Sequence, residues 1–154
     1  MEKIRGFEVA KGFEDKEINL PVRKTKFSAG YDIEAAEEVV VPSFKKGMNP
    51  TLIKTGIKAY MQDDEVLEVH VRSSIGIKKG LMLMNTTGII DSDFYSNEDN
   101  DGNIHFKFRN LTNKEVIINA GERVIQGIFK KYLVADNDVC IQKERKGGIG
   151  HTNK

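Results

Sequence analysis

The chain is short of cysteine, of net charge and of long apolar runs, and each shortage excludes a class of protein. Cys140 is the single cysteine among 154 residues. It cannot form an intrachain disulfide or a multi-cysteine zinc site, and the expected compartment is the reducing cytoplasm. Lysine and arginine number 24 against 23 aspartate and glutamate, a formal net charge of +1. Bulk polyanion binders carry a basic excess, so no direct nucleic-acid binding is expected. No apolar run approaches the roughly 18–20 residues of a membrane span, so no membrane association is expected. The opening residues MEKIRGFEVAKGFEDKEINL alternate charges and lack the apolar core of a signal peptide. The three histidines, His70, His105 and His151, have no partner at metal-ligand spacing, which argues against zinc. The absence of a G-x-S-x-G turn argues against acyl transfer.

What is present is a one-domain length with 39% hydrophobic and 31% charged residues, enough for a single core under a charged surface. Strand signals dominate. Leu67, Val69 and Val71 alternate with Glu68, His70 and Arg72, and Ile104, Phe106 and Phe108 alternate with His105, Lys107 and Arg109. That period of two marks half-buried strands. Further strands are expected at residues 37–41, 51–60, 116–118 and 124–134, with a tight turn at residues 119–122. Cys140, in a strand-like apolar stretch, reads as core. Helix evidence is confined to residues 73–80, with Ser73 as N-cap and Gly80 as the stop. Many short strands with frequent turns favour a sandwich or barrel. The polar residues 96–103 read as a hairpin tip, and residues 143–154, rich in glycine and basic residues, as a mobile tail.

Three constellations have chemical potential, and each has a bland alternative. In Gly88-Ile89-Ile90-Asp91-Ser92-Asp93-Phe94, a carboxylate at a strand end suits a general base or a metal neighbour; equally, Asp91 and Asp93 suit a turn whose side chains bond local backbone. Arg72-Ser73-Ser74 suits an anion site or a simple cap beside a surface arginine. Arg145-Lys146-Gly147-Gly148-Ile149-Gly150-His151-Thr152 has the composition of a phosphate-cradling loop without the spacing of a P-loop, or is a disordered terminus.

Taken in order, these segments resemble the trimeric dUTPase family (deoxyuridine triphosphate nucleotidohydrolases), which carries five short motifs. Ala29-Gly30-Tyr31-Asp32-Ile33 looks like the first. Arg72-Ser73-Ser74 with Gly76 and Gly80 looks like the second, and Gly88 to Phe94 like the third. Gly121-Glu122-Arg123-Val124-Ile125-Gln126 matches the G-x-R-x-x-Q of the fourth, and Gly147 to Thr152 the glycine-rich fifth. The matches run from residue 29 to residue 152.

The resemblance implies an all-β, distorted jelly-roll barrel with one short helix. The C-terminal strand and tail would be exchanged in a homotrimer, so that each site collects motifs from all three chains. Residues 1–142 would form the jelly-roll domain, and residues 143–154 a flexible tail that closes over the active site. The implied activity is hydrolysis of dUTP to dUMP and pyrophosphate with Mg²⁺, which limits uracil in DNA and supplies dUMP for dTMP synthesis. Asp91 matches the carboxylate that activates the attacking water. Asn85 and the backbone around Gly88 and Ile90 match the positions that read uracil. Phe94 stands where the family usually has the tyrosine that packs under the deoxyribose. Arg72, Ser73, Ser74 and Gln126 match phosphate contacts, and Arg145, Gly148, Ile149 and Gly150 belong to the tail that would bind the nucleotide as it closes. Asp32 matches a carboxylate that reaches Mg²⁺ through water, the ion being held mainly by the triphosphate, and Arg123 a structural ion pair.

The departures are specific. Ile149 replaces an aromatic residue that stacks over uracil, and Glu144 stands where the family's arginine lies, one residue before Arg145. Either Arg145 or Lys146 is then placed to meet the γ-phosphate. His151 and Asn153 replace commoner serine and glycine, and the acidic residues 96–103 replace a tight turn. Two rival readings share the fold. One is a dCTP deaminase or bifunctional deaminase–diphosphatase; the other is a phage-type dUTPase whose acidic insert binds a regulatory protein.

Overall fold

The computed structural model describes residues 2–47, 50–141 and 145. Its regular structure is almost entirely β: β1 (Gly6–Val9), β2 (Tyr31–Glu34), β3 (Val39–Val41), β4 (Thr51–Lys54), β5 (Ile57–Tyr60), β6 (Glu65–Val71), β7 (Leu81–Leu83), β8 (Gly88–Asp91), β9 (His105–Asn110), β10 (Val116–Ile118) and β11 (Arg123–Lys131). Four antiparallel sheets result, ordered β2-β11-β6-β8, β4-β9-β7, β1-β5 and β10-β3. They wrap one core around Ile33, Ile53, Leu67, Phe108, Ile118 and Ile125, each essentially inaccessible. Burying such side chains is worth about 1.5–3 kcal/mol each. This is the expected all-β barrel of jelly-roll type.

The alternation in β6 is read correctly from Leu67 onward, but the strand begins at Glu65, which is also buried. Arg5 makes that possible. Its guanidinium donates from Nε at 3.0 and 3.1 Å and from Nη2 at 2.5 Å to the Glu65 carboxylate, and holds that carboxyl below its ordinary range.

Several expectations need correction. Residues 51–60 are two strands in two sheets. The chain changes sheet at Thr55 and Gly56, where the Thr55 hydroxyl donates to Ile104 O at 2.6 Å and Gly56 has φ +70°. A Cβ at Gly56 would stand 2.8 Å from the Phe13 ring. Residues 96–103 are no hairpin tip, because β8 and β9 lie in different sheets. The strand expected at 124–134 runs instead from Arg123 to Lys131, and that at 37–41 begins at Val39. Cys140 is exposed and outside any strand, so it is not core. The expected helix is one wide turn, Ser74–Lys78, accompanied by two three-residue turns, Phe44–Lys46 and Ser92–Phe94. Ser73 does not cap it. Its own backbone is helical (φ −54°, ψ −42°), with no side-chain cap bond, and the Ile75 and Gly76 amides donate to Arg72 O at 3.0 and 2.9 Å. Gly80, at φ +67°, ends the turn as expected.

Candidate active site

The four-stranded sheet carries two clusters of polar residues at opposite ends of β6. The first lies where β8 ends. Asp91, opposite Val66 in the β6–β8 ladder, precedes the turn Ser92–Phe94. Its side chain makes no cap bond to that turn, so the turn-residue alternative is not realised and the carboxylate faces outward. Asp91 Oδ2 accepts from Arg145 Nη2 at 2.5 Å, and Asp93 Oδ1 accepts from Arg145 Nε at 2.7 Å. Burial raises the Asp91 pKa above the ordinary aspartate value. Arg145 opposes the rise and the like charge of Asp93 adds to it. A carboxylate poised in this way is suited to accept a proton.

Asp91 opens onto a cavity of about 400 Å³ that also receives Asn85, Gly88, Ile90, Phe94 and Arg145. Phe94 is only 8% exposed. The loop of residues 96–103 is what fixes it. Buried Asn97 donates from its backbone N (3.3 Å) and from Nδ2 (2.7 Å) to Phe94 O. Asp101 accepts from Lys58 Nζ at 2.9 Å and from the Lys11 amide at 2.8 Å. Much of the acidic insert is therefore spent on the barrel itself.

The second cluster lies at the far end of β6. Asp32 on β2, Gln126 on β11 and His70 on β6 stand in one row across the sheet. Arg72 follows β6, its amide donating to Val124 O at 3.1 Å. A cavity of about 630 Å³ collects Asp32, Arg72, Ser73, Ser74 and Gln126. Buried Asp32 forms an ion pair with Arg72, Oδ1 lying 3.1 Å from Nε, and Arg123 Nη1 stands 3.7 Å from its Oδ2. From Val66, opposite Asp91, to Arg72 is about 20 Å at the usual rise of about 3.3 Å per strand residue.

The stretch that holds all five motif segments lies within a single family match. The family model for dUTPase matches residues 16–153. The chain belongs to the dUTPase family. The Lactococcus lactis protein called deoxyuridine 5'-triphosphate nucleotidohydrolase is 54% identical over 151 residues, 97% of this chain and 98% of that one. The crystal structure of a Streptococcus mutans dUTPase aligns with TM-score 0.78 and 42% identity, covering 86% of this chain and 99% of the other. The dUTPase of Staphylococcus bacteriophage 80alpha aligns with TM-score 0.71 over 94% of this chain and 100% of that one, at 19% identity, a likeness of fold.

Within this dUTPase-family chain, the third-motif residues and Arg145 meet in one cavity, and the first-, second- and fourth-motif residues meet in another. Arg123 makes the ion-pair approach expected of it, toward Asp32. Gly148, Ile149 and Gly150 lie outside the described residues. Sequence reasoning missed His105 and Lys107, which line the first cavity, and Lys24 and Lys78, which line the second. The alternation of β9 shows which of its residues turn outward, but no spacing marks any of the four as a site. No group of three or more metal-ligating side chains occurs among the described residues. Asp32 alone offers a carboxylate at the anion cavity, and its Oδ2 is buried without a hydrogen-bond partner. A lone carboxylate fits Mg²⁺, which commonly keeps its waters and binds through one or two carboxylates and substrate phosphates. No helix among the described residues is long and apolar enough to cross a membrane.

Proposed function

We propose that the chain hydrolyses dUTP to dUMP and pyrophosphate, Asp91 accepting a proton from the water that attacks the α-phosphorus in line with the leaving group. The observation that carries this reading is Asp91 itself. It is free of its turn, its pKa is raised, and it shares a cavity with Phe94, Asn85 and the backbone of Gly88. Asn85 and the backbone at Gly88 and Ile90 read uracil, and the Phe94 ring lies under the deoxyribose, where a ribose 2′-OH would clash. Arg72, Ser73, Ser74 and Gln126 bind the phosphates. Mg²⁺, when bound, neutralises charge on the triphosphate. Asp32 is the residue that would hold it, through water, beside the phosphates.

Assembly follows from distance. The attacking water and the phosphorus must come within about 3–3.5 Å. In one chain the base and the phosphate-binding cluster are separated by about 20 Å along β6. On this reading the complete site joins the Asp91 cavity of one subunit to the Arg72 cavity of another, and the family resemblance makes that assembly a homotrimer. Leu133, Val139 and Ile141 are 96, 80 and 93% exposed beyond β11, which suits an arm that packs on a neighbour. Residues 143–154 close over the nucleotide, with Arg145 leaving its ion pairs to Asp91 and Asp93 as the phosphates arrive, and exclude bulk water.

The test is pyrophosphate release from dUTP, dTTP, dCTP and UTP, with ammonia release from dCTP measured alongside. Preference for dUTP without deamination is expected; equal rates on all four, or ammonia from dCTP, refute the reading. Asp91→Asn should lower kcat by about 10²–10⁴-fold with little change in KM, the usual worth of a general base.

A further inference from the structure

The anion cavity continues past Arg72 into a second hollow of about 480 Å³, and the two share Lys24, Arg72, Ser74 and Lys78. Most cations of this basin are already committed. Arg72 and Arg123 both face the single carboxylate of Asp32. Lys79 Nζ bonds Glu122 Oε2 at 2.7 Å, which cancels its charge. Lys24 and Lys78 are exposed and enter no ion pair among the described residues. The two arginines with Asp32 leave one positive charge, and the two lysines add two more. Two thirds of the basin's net charge thus rests on residues outside the segments first read as phosphate contacts.

We infer that Lys24 and Lys78 hold the terminal phosphates of the nucleotide and the departing pyrophosphate. The inference rests on the function proposed above. A pyrophosphate leaving group gains charge as the Pα–O bond breaks and the oxygen keeps the electron pair. Cations placed at that end favour the transition state as well as the bound triphosphate. Arg72, oriented by Asp32, is rigid; the lysines are flexible point charges that can follow the leaving group outward. They are positioned to bind phosphate without touching the base or the sugar.

The experiment measures binding of inorganic pyrophosphate to the intact protein by calorimetry, with dUMP as comparison and steady-state dUTP hydrolysis alongside. Lys24→Gln and Lys78→Gln should each weaken pyrophosphate binding about fivefold at low salt, and the double variant about 20-fold, from the loss of one close charge pair each in water. The loss should shrink as salt rises. Melting temperature and dUMP affinity should stay unchanged, and the double arginine variant should recover most of the pyrophosphate affinity. Pyrophosphate affinity within twofold of wild type in the double glutamine variant overturns the inference, whatever the turnover. Wild-type protein that shows this binding pattern but leaves dUTP intact supports the basin and refutes the proposed hydrolysis.

Discussion

Gly30 offers a direct probe of how the first motif serves the fourth. A Cβ at Gly30 would lie 2.5 Å from Gln126 Oε1, 3.2 Å from its Cβ and 3.3 Å from its Cδ. The amide oxygen alone could tip aside. The two carbon contacts fall short of the 3.4 Å at which ordinary contact begins, and Gln126 Cβ is tethered to β11, so the whole side chain must rotate. Gly30→Ala should therefore move the Gln126 amide away from the phosphates that Gln126 is proposed to bind. A hydrogen bond to a charged group is worth about 1.5–3 kcal/mol, which converts to a loss of about 10–150-fold in kcat/KM for dUTP. Gly30 does not sit at positive φ, so alanine brings no backbone strain and melting should change by only a few degrees. Gln126→Ala should reproduce the loss, and the double variant should be no worse than either single one, because both remove one interaction. Steady-state pyrophosphate release and thermal melting read both effects. Kinetics of Gly30→Ala within twofold of wild type would refute the steric link, and so would a double variant in which the two losses multiply.

The carboxylate pair makes a prediction about pH. If Asp91 is the proposed base it must be ionised to act, so kcat/KM should rise with pH along a limb displaced above the ordinary aspartate range by burial. Arg145→Met removes the cation that favours ionisation and should move the limb higher, whereas Asp93→Asn removes a like charge and should move it lower. Displacement of both in one direction contradicts this electrostatic picture. The loop beneath Phe94 can be tested by a glycine pair. Gly102, at φ +83°, would bring a Cβ within 2.8 Å of Phe94 O and 2.9 Å of Ser96 N, whereas Gly12, at φ +92°, has nothing within 4 Å. Both alanines incur the cost of a left-handed backbone, about 1–2 kcal/mol. Overpacking should add about 1–3 kcal/mol at Gly102 alone, so Gly102→Ala should melt about 2–12 °C below Gly12→Ala. Equal melting would refute the close approach.

Much of the architecture was readable residue by residue. The alternation at Leu67–Val71 and at Ile104–Phe108 located β6 and β9, and the order of five motifs pointed to the family. The strands that escaped notice, β1, β2 and β7, are only three or four residues long, and β4 and β5 were read as one continuous run. Four residues are too few for a period of two to stand out, and a strand such as β1 is held by its pairing with β5. Cys140 was misplaced for the converse reason: apolar neighbours such as Val139 and Ile141 suggest a core, yet no sheet edge receives them.

Local pattern was enough to favour a strand-rich chain, to raise Asp91 and Arg72 as candidates and to support a family likeness, which added Gln126, because strand periodicity and short motifs are properties of neighbouring residues. Which of those candidates stand together was a matter of non-local pairing. The β2-β11-β6-β8 order places Asp32 beside Gln126 and sends Asp91 to the opposite end of β6. That separation divides the candidate residues between two cavities. It arises from strand registers joining residues tens of positions apart, whose spatial proximity leaves no period in the chain.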